Sequence, residues 1–324
     1  MIHTFEQPLP HGITLSVRAA GRPGRPVVVF LHGFPEAAFV WDEALTRLAD
    51  PAHGGFYGIA PNLRGYERSS APKEPEAYRA RHLVQDVAAL IDAVTADGPT
   101  PGQVAAVVAH DWGGAVAWNL AALQPQRLQR LVILNAPHPG TFWRDLRHSP
   151  AQQAASAYMN VLIRPDAAER LRADGYAKLW AFFRGMSDTS AWLTPALQAQ
   201  YEAVWALGLQ GGLNYYVASP LRPSTADDPA AAGVELPETL LHVRVPTQVI
   251  WGLRDQALLP SLLDGLERWV PDLRIERLPH ASHWLLHEEP ERVLGLIEAF
   301  VNGHAAPEAT TPHAAPGASG RGAL

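Results

Sequence analysis

The chain has no cysteine in its 324 residues. That removes disulfides, thiolate nucleophiles and cysteine-based metal sites together, and it suits a reducing cytoplasm. There is no dense run of Lys and Arg, and the formal net charge is −6. Neither nucleic acid nor an anionic membrane surface is therefore the expected partner. No apolar run approaches the ~20 residues that a membrane-spanning helix needs. The first residues, Met-Ile-His-Thr-Phe-Glu, lack the basic start and apolar core of a signal peptide. These absences predict a soluble, cytoplasmic protein with a small, uncharged ligand. An oligomer is possible but nothing in the sequence indicates one.

The length fits one large α/β domain with an insertion. Its organising stretch is residues 104–114, V-A-A-V-V-A-H-D-W-G-G. Six small or β-branched apolar residues predict a strand buried on both faces, and they run into a turn that opens an Ala-rich helix over residues 115–123. Asp111 thus sits on a strand-to-helix turn, with Ala109 two before it and Gly113 and Gly114 two and three after it. This is the spacing of a nucleophile elbow, with Asp in place of the usual Ser. Asp is also a good helix N-cap, so the pattern alone is equally that of a capped helix. Its meaning depends on what accompanies it.

Around this stretch, strands are expected at residues 2–6, 13–19, 27–31, 56–60 and 131–134, with a helix at 80–94. Strands alternating with helices build a mostly parallel sheet flanked by helices, and ligands bind at the carboxyl ends of such strands. The 27–31 strand ends in His32-Gly33-Phe34-Pro35-Glu36, a tight loop whose Pro can hold a cis bond. That loop can present the Phe34 N–H as half of an oxyanion hole, with the Trp112 N–H as the other half.

After residue 138 the pattern changes to helical pieces dense in aromatics, with no strand signal before residue 245. We assign residues 1–138 and 237–302 to the two parts of the core, 139–236 to an inserted helical cap, and 303–324 to a disordered tail. Most cap aromatics are expected to be packing, and a few to face Asp111 and form a dry pocket. Strands at 245–252 and 273–278 precede Asp255 and His283 respectively, and a helix at 290–301 closes the core.

With the H-G-F-P loop, the H-D-W-G-G elbow, the order Asp111, Asp255, His283 and the mid-chain cap in place, the sequence resembles an α/β-hydrolase of the epoxide hydrolase and haloalkane dehalogenase branch. The resemblance covers all but the tail. It implies that Asp111 is the nucleophile, His283 the base that activates water, and Asp255 the carboxylate that orients His283. In some relatives the acid follows the preceding core strand, where this chain has Asn135. A dehalogenase commonly carries a halide-binding Asn after His-Gly, and this chain has Phe34, although the Trp112 indole could still meet a halide. Leu213-Asn214-Tyr215-Tyr216 resembles the family segment whose second aromatic protonates the opened epoxide oxygen. We assign that role to Tyr216, with Tyr158 as its partner.

The implied reaction is hydrolysis of a small apolar epoxide to a vicinal diol through an alkyl ester on Asp111, with water as the second reactant and no metal or organic cofactor. The alternatives are a dehalogenase using the same Asp and a non-catalytic binding protein on the same fold. Two departures from the family pattern, Val217 in place of Arg and Glu67 in place of Gly, stand where substrate range could be set. His32 and His110 are expected to shape loops, and His280 and His287 to be solvated or packed.

Overall fold

The computed structural model describes residues 1–187 and 190–303. The expected tail therefore lies outside the described residues, apart from Gly303. Eight strands form one sheet: β1 His3–Pro8, β2 Thr14–Ala20, β3 Val27–Leu31, β4 Tyr57–Pro61, β5 Ala106–His110, β6 Leu131–Leu134, β7 Thr247–Gly252 and β8 Leu273–Leu278. They lie in the order β1-β2-β4-β3-β5-β6-β7-β8. β1 and β2 form an antiparallel hairpin, β2 pairs antiparallel with β4, and every pairing from β4 to β8 is parallel. The expected α/β-hydrolase architecture, a mostly parallel sheet between helices, is what the chain adopts.

Burial explains the arrangement. β3, β4, β5, β6 and β7 are buried at every residue, and their Val-, Ile- and Ala-rich sequences can sit only between two covered faces. β2 alternates half-buried and buried, and β1 is largely exposed, as an edge hairpin requires. Successive residues of β5 face opposite cores. Val107 and Ala109 join the larger core, and Ala106 and Val108 join the smaller one.

The helices are α1 Asp42–Ala49, α2 Ala80–Thr95, α3 Asp111–Leu123, α4 Pro139–His148, α5 Pro150–Ala155, α6 Met159–Leu162, α7 Ala167–Gly185, α8 Pro195–Leu207, α9 Gln210–Ala218, α10 Leu285–Glu288 and α11 Pro290–Val301. α1 and α11 bury their apolar faces in the smaller core, while α2 and α3 cover the other face of the sheet. α4 to α9 all lie between β6 and β7, and α7 is broken at residues 173–176, where the backbone leaves helical angles.

The expected elements are recovered with small shifts at their ends. The strand expected at 104–109 runs from Ala106 to His110, while Val104 makes only an isolated bridge to Leu128. The helix expected from residue 115 opens at Asp111, so the turn and the first helical turn coincide.

One buried ion pair ties the loop after β4 to α2. The Arg64 guanidinium meets Asp86 through two hydrogen bonds of 2.7 and 2.5 Å and donates a third, at 2.7 Å, to the Ala77 carbonyl. Arg64 is 4% and Asp86 2% exposed; Asp86 also meets His11 Nε2 at 2.6 Å, whereas removing Asp86 leaves the Arg64 charge buried with only the Ala77 carbonyl. Asp86→Ala is expected to lower the unfolding free energy by about 3–5 kcal/mol, read from urea denaturation followed by circular dichroism.

Candidate active site

Asp111 occupies a strained turn that its neighbours leave no room to relax. Its φ is +49°, which places a non-glycine residue in the left-handed region. A Cβ at Gly33 would strike the Asp111 side chain, one at Gly113 would strike the Leu31 and His32 carbonyl oxygens, and one at Gly114 would strike the Ala136 side chain. The elbow thus brings β5, the loop after β3 and the end of β6 into contact around a single carboxylate. Phe34-Pro35 is a cis peptide bond. The Phe34 N–H donates to Asp111 Oδ1 at 2.8 Å.

The other oxygen, Oδ2, lies 3.8 Å from Nε2 of His283. On its far side His283 Nδ1 is 2.7 Å from Oδ2 of Asp255. Asp255 is fixed in turn. Its Oδ1 accepts the N–H groups of Ala257 and Leu258, both at 2.9 Å, and its Oδ2 accepts Asn135 Nδ2 at 2.6 Å. Asn135 completes the brace by accepting the Gly252 N–H at 2.8 Å. The structure therefore brings Asp111, His283 and Asp255 together, and Asn135 steadies the carboxylate instead of standing in for it.

Beside Asp111 lies a small pocket of about 70 Å³. Asp111, Trp112, Tyr158, Tyr216 and Ser219 line it together with apolar side chains, Phe142 among them. The Tyr216 ring packs edge-on against Trp112 (5.0 Å between centroids) and Phe34 (5.4 Å), with Tyr158 at 6.3 Å. Burial holds both phenols well above their usual pKa, and the Asp111 charge adds to the effect, so both stay protonated. Most other aromatics of the insert, among them Trp180, Phe183, Tyr201 and Trp205, pack on one another. Neither Glu67 nor Val217 lines this cavity. Glu67 Oε2 accepts from Ser16 and Asn62 on the sheet side, and Val217 is exposed at 37%. The expectation that they set substrate range is corrected: both point elsewhere.

Sequence reasoning also missed a second polar cluster behind the first. Glu36 is 1% exposed and meets His110 Nδ1 at 3.0 Å, His287 Nε2 at 2.8 Å and the Tyr201 hydroxyl at 2.7 Å. His110 Nε2 reaches the His283 carbonyl oxygen at 3.0 Å. Although burial works against its charge, hydrogen bonds from His110 and His287 hold the Glu36 carboxyl well below the usual range. The only local clue was an acid placed directly after the H-G-F-P loop. His32, by contrast, shapes its loop as expected: Nδ1–H donates to the Gly33 carbonyl and Nε2 accepts the Leu63 N–H. Burial lowers its pKa to about 4.

His283 is biased toward its charged form. Burial favours its neutral form, yet the charge and hydrogen bond of Asp255, with Asp111 and Glu36 behind, outweigh burial and raise its pKa from 6.5 to about 9.

A family model described as alpha/beta hydrolase fold matches residues 26–290. The chain is 36% identical over 294 residues to AB hydrolase superfamily protein YfhM of Bacillus subtilis, covering 90% of this chain and 95% of that one. A solved structure described among novel epoxide hydrolases in metagenomes from hot environments is 36% identical, with a TM-score of 0.81 over 94% of this chain and 100% of that one. An epoxide hydrolase from Bacillus megaterium, solved with an inhibitor, is 29% identical, with a TM-score of 0.80 over 92% of this chain and 100% of that one.

The raised pKa of His283 links protonation to stability. A group whose pKa rises on folding stabilises the native state fully below its unfolded value, and that contribution is lost as pH climbs through the folded value. The buried histidines His32 and His138, both lowered to about 4, titrate below this window. The unfolding free energy should therefore fall between pH 6.5 and about 9, and His283→Gln should flatten that decline in urea titrations run across the range.

Proposed function

The chain belongs to the α/β-hydrolase fold family, in its epoxide hydrolase branch, and is a hydrolase; on that premise we propose that it opens a small apolar epoxide to a vicinal diol through an ester on Asp111. One observation carries the reading. A carboxylate has one oxygen held by a main-chain N–H and the other facing an imidazole, and it lines the same largely apolar pocket as two protonated phenols.

In this reading Oδ2 of Asp111 attacks an epoxide carbon from behind and the C–O bond breaks. Tyr216, with Tyr158 beside it, gives its proton to the leaving oxygen. An alkoxide is a far stronger base than a phenolate, so even a phenol with a raised pKa is acid enough for the transfer. Alkylation removes the negative charge of Asp111, which is one of the charges that raise the His283 pKa. The imidazole therefore becomes easier to deprotonate at the stage when a base is needed. Neutral His283 then takes a proton from water as the water oxygen attacks the ester carbonyl carbon. Asp255 stabilises the imidazolium, and the N–H groups of Phe34 and Trp112 receive the oxyanion. Collapse of the tetrahedral intermediate expels the diol oxygen, which takes the proton held by His283, and the second proton of the water passes from Asp111 to the Tyr216 phenolate, so the diol leaves with Asp111, His283 and Tyr216 restored.

The epoxide reading is preferred to the haloalkane one because Phe34 offers only a main-chain N–H at the loop. Its ring is packed against Tyr216, whereas a departing halide needs no proton donor. A chain without cysteine fits work in the reducing cytoplasm. Among the described residues, no helix is long and apolar enough to cross a membrane.

Two experiments test the chemistry. His283→Ala should form the ester and stall, because general-base help is worth about a hundredfold or more. Mass spectrometry after mixing with styrene oxide should show one added substrate on the peptide containing Asp111, and none in Asp111→Ala; an unmodified His283→Ala protein, with native enzyme turning the epoxide over, means either that Asp111 is not the nucleophile or that His283 is needed for alkylation too. In a single turnover of native enzyme in heavy-oxygen water, the label should enter Asp111 and be missing from the first diol.

A further inference from the structure

α9 carries Tyr216, and it touches the sheet domain through contacts that the proposed chemistry does not use. Its second and third residues are Gly211 and Gly212, although glycine is a poor helix former. Space accounts for the choice. Gly211 lies backbone to backbone on Gly65, in the loop after β4. A Cβ at 211 would fall well under 3.0 Å from the Gly65 carbonyl oxygen and Cα, and a Cβ at 65 would come to 2.7 Å from the Gly211 Cα. Neither neighbour is a flexible side chain that could yield.

Tyr215 is the i+4 neighbour of Gly211 and shares its face of the helix. The Tyr215 hydroxyl donates to the Arg64 carbonyl at 2.9 Å, and Arg64 is itself fixed by Asp86. The next face repeats the arrangement on the Phe34 loop. A Cβ at Gly212 would come to 3.0 Å from the Phe34 ring, and Tyr216, the i+4 neighbour of Gly212, packs on that same ring. α9 is therefore wedged into the two core loops that flank Asp111.

We infer that Gly65, Gly211 and Tyr215 are positioning residues for Tyr216. The glycine contact sets how deep α9 seats on the core, and the Tyr215 hydrogen bond sets its rotation. The phenol then keeps its distance from Asp111 whatever the rest of the helical insert does. This rests on the reading of Tyr216 as the proton donor. A Cβ at 211 must lift the helix or push the loop by roughly an ångström, and misplacement on that scale costs about a hundredfold in a well-aligned reaction.

The test times alkylation of the full-length protein in a His283→Ala background, read as the rise in intact mass after mixing with excess styrene oxide. Adding Gly211→Ala should slow the rise about ten- to a hundredfold, and adding Tyr215→Phe should slow it by a smaller factor. On top of Tyr216→Phe, either change should alter the rate by less than about twofold, because the group they position is already gone. Equal slowing with and without the Tyr216 hydroxyl overturns the inference, since a merely structural defect would act in both backgrounds. A Gly211→Ala protein that reacts at the parent rate overturns it as well. If Tyr216→Phe alone leaves the rate unchanged, the donor assignment is what fails, and the inference falls with it. If Gly211→Ala does not fold, Tyr215→Phe carries the same comparison.

Discussion

The structure depends on the crowding around one backbone turn. Asp111 holds a left-handed φ between β5 and α3, and Gly33, Gly113 and Gly114 let the neighbouring chains close on it without a Cβ. That closure puts the Phe34 N–H on one carboxylate oxygen and leaves the other toward His283. Bulk at any of the three glycines would push apart the loop, the helix and the strand end that define the site. The parallel sheet supplies the stiffness behind the turn: strands buried on both faces cannot shift to relieve it.

The electrostatics follow from the same packing. Three carboxylates, Asp255, Asp111 and Glu36, act on one buried imidazole, and only Asp255 meets its ring directly. Glu36 acts from farther off by its charge, while its bonds to His287 on α10 and to Tyr201 on α8 join those helices to the loop that carries Phe34. Burial alone would make His283 easy to deprotonate. The surrounding charge decides otherwise.

Features with a local cause were legible in the sequence. The strands at 27–31, 131–134 and 273–278 and the helix at 290–301 agree residue for residue with β3, β6, β8 and α11, because their apolar patterns and flanking turns fix the ends. Asp111 was legible because the elbow needs small neighbours at set spacings, and Asp255 and His283 because each follows a strand end. The Glu36 cluster was not legible, since its partners lie 74, 165 and 251 residues away and a pairing at that range leaves no periodic trace. That Glu67 and Val217 do not line the pocket was hidden for a related reason: proximity to a motif along the chain does not say which way a side chain points. Gly65 and Gly211 read as ordinary turn and helix-start residues until the fold laid one on the other.

Asn135 gives the site a historical dimension. It stands at the end of β6 with a left-handed φ of +35°, and its side chain already touches the carboxylate that pairs with His283. A change to Asp there would place two carboxyl groups within hydrogen-bonding distance, and they would share one proton instead of repelling as two anions. A lineage could pass through that doubly acidic intermediate and then lose Asp255. The carboxylate that meets the histidine would then have moved from one strand end to the next while His283, Asp111 and the sheet stayed where they were.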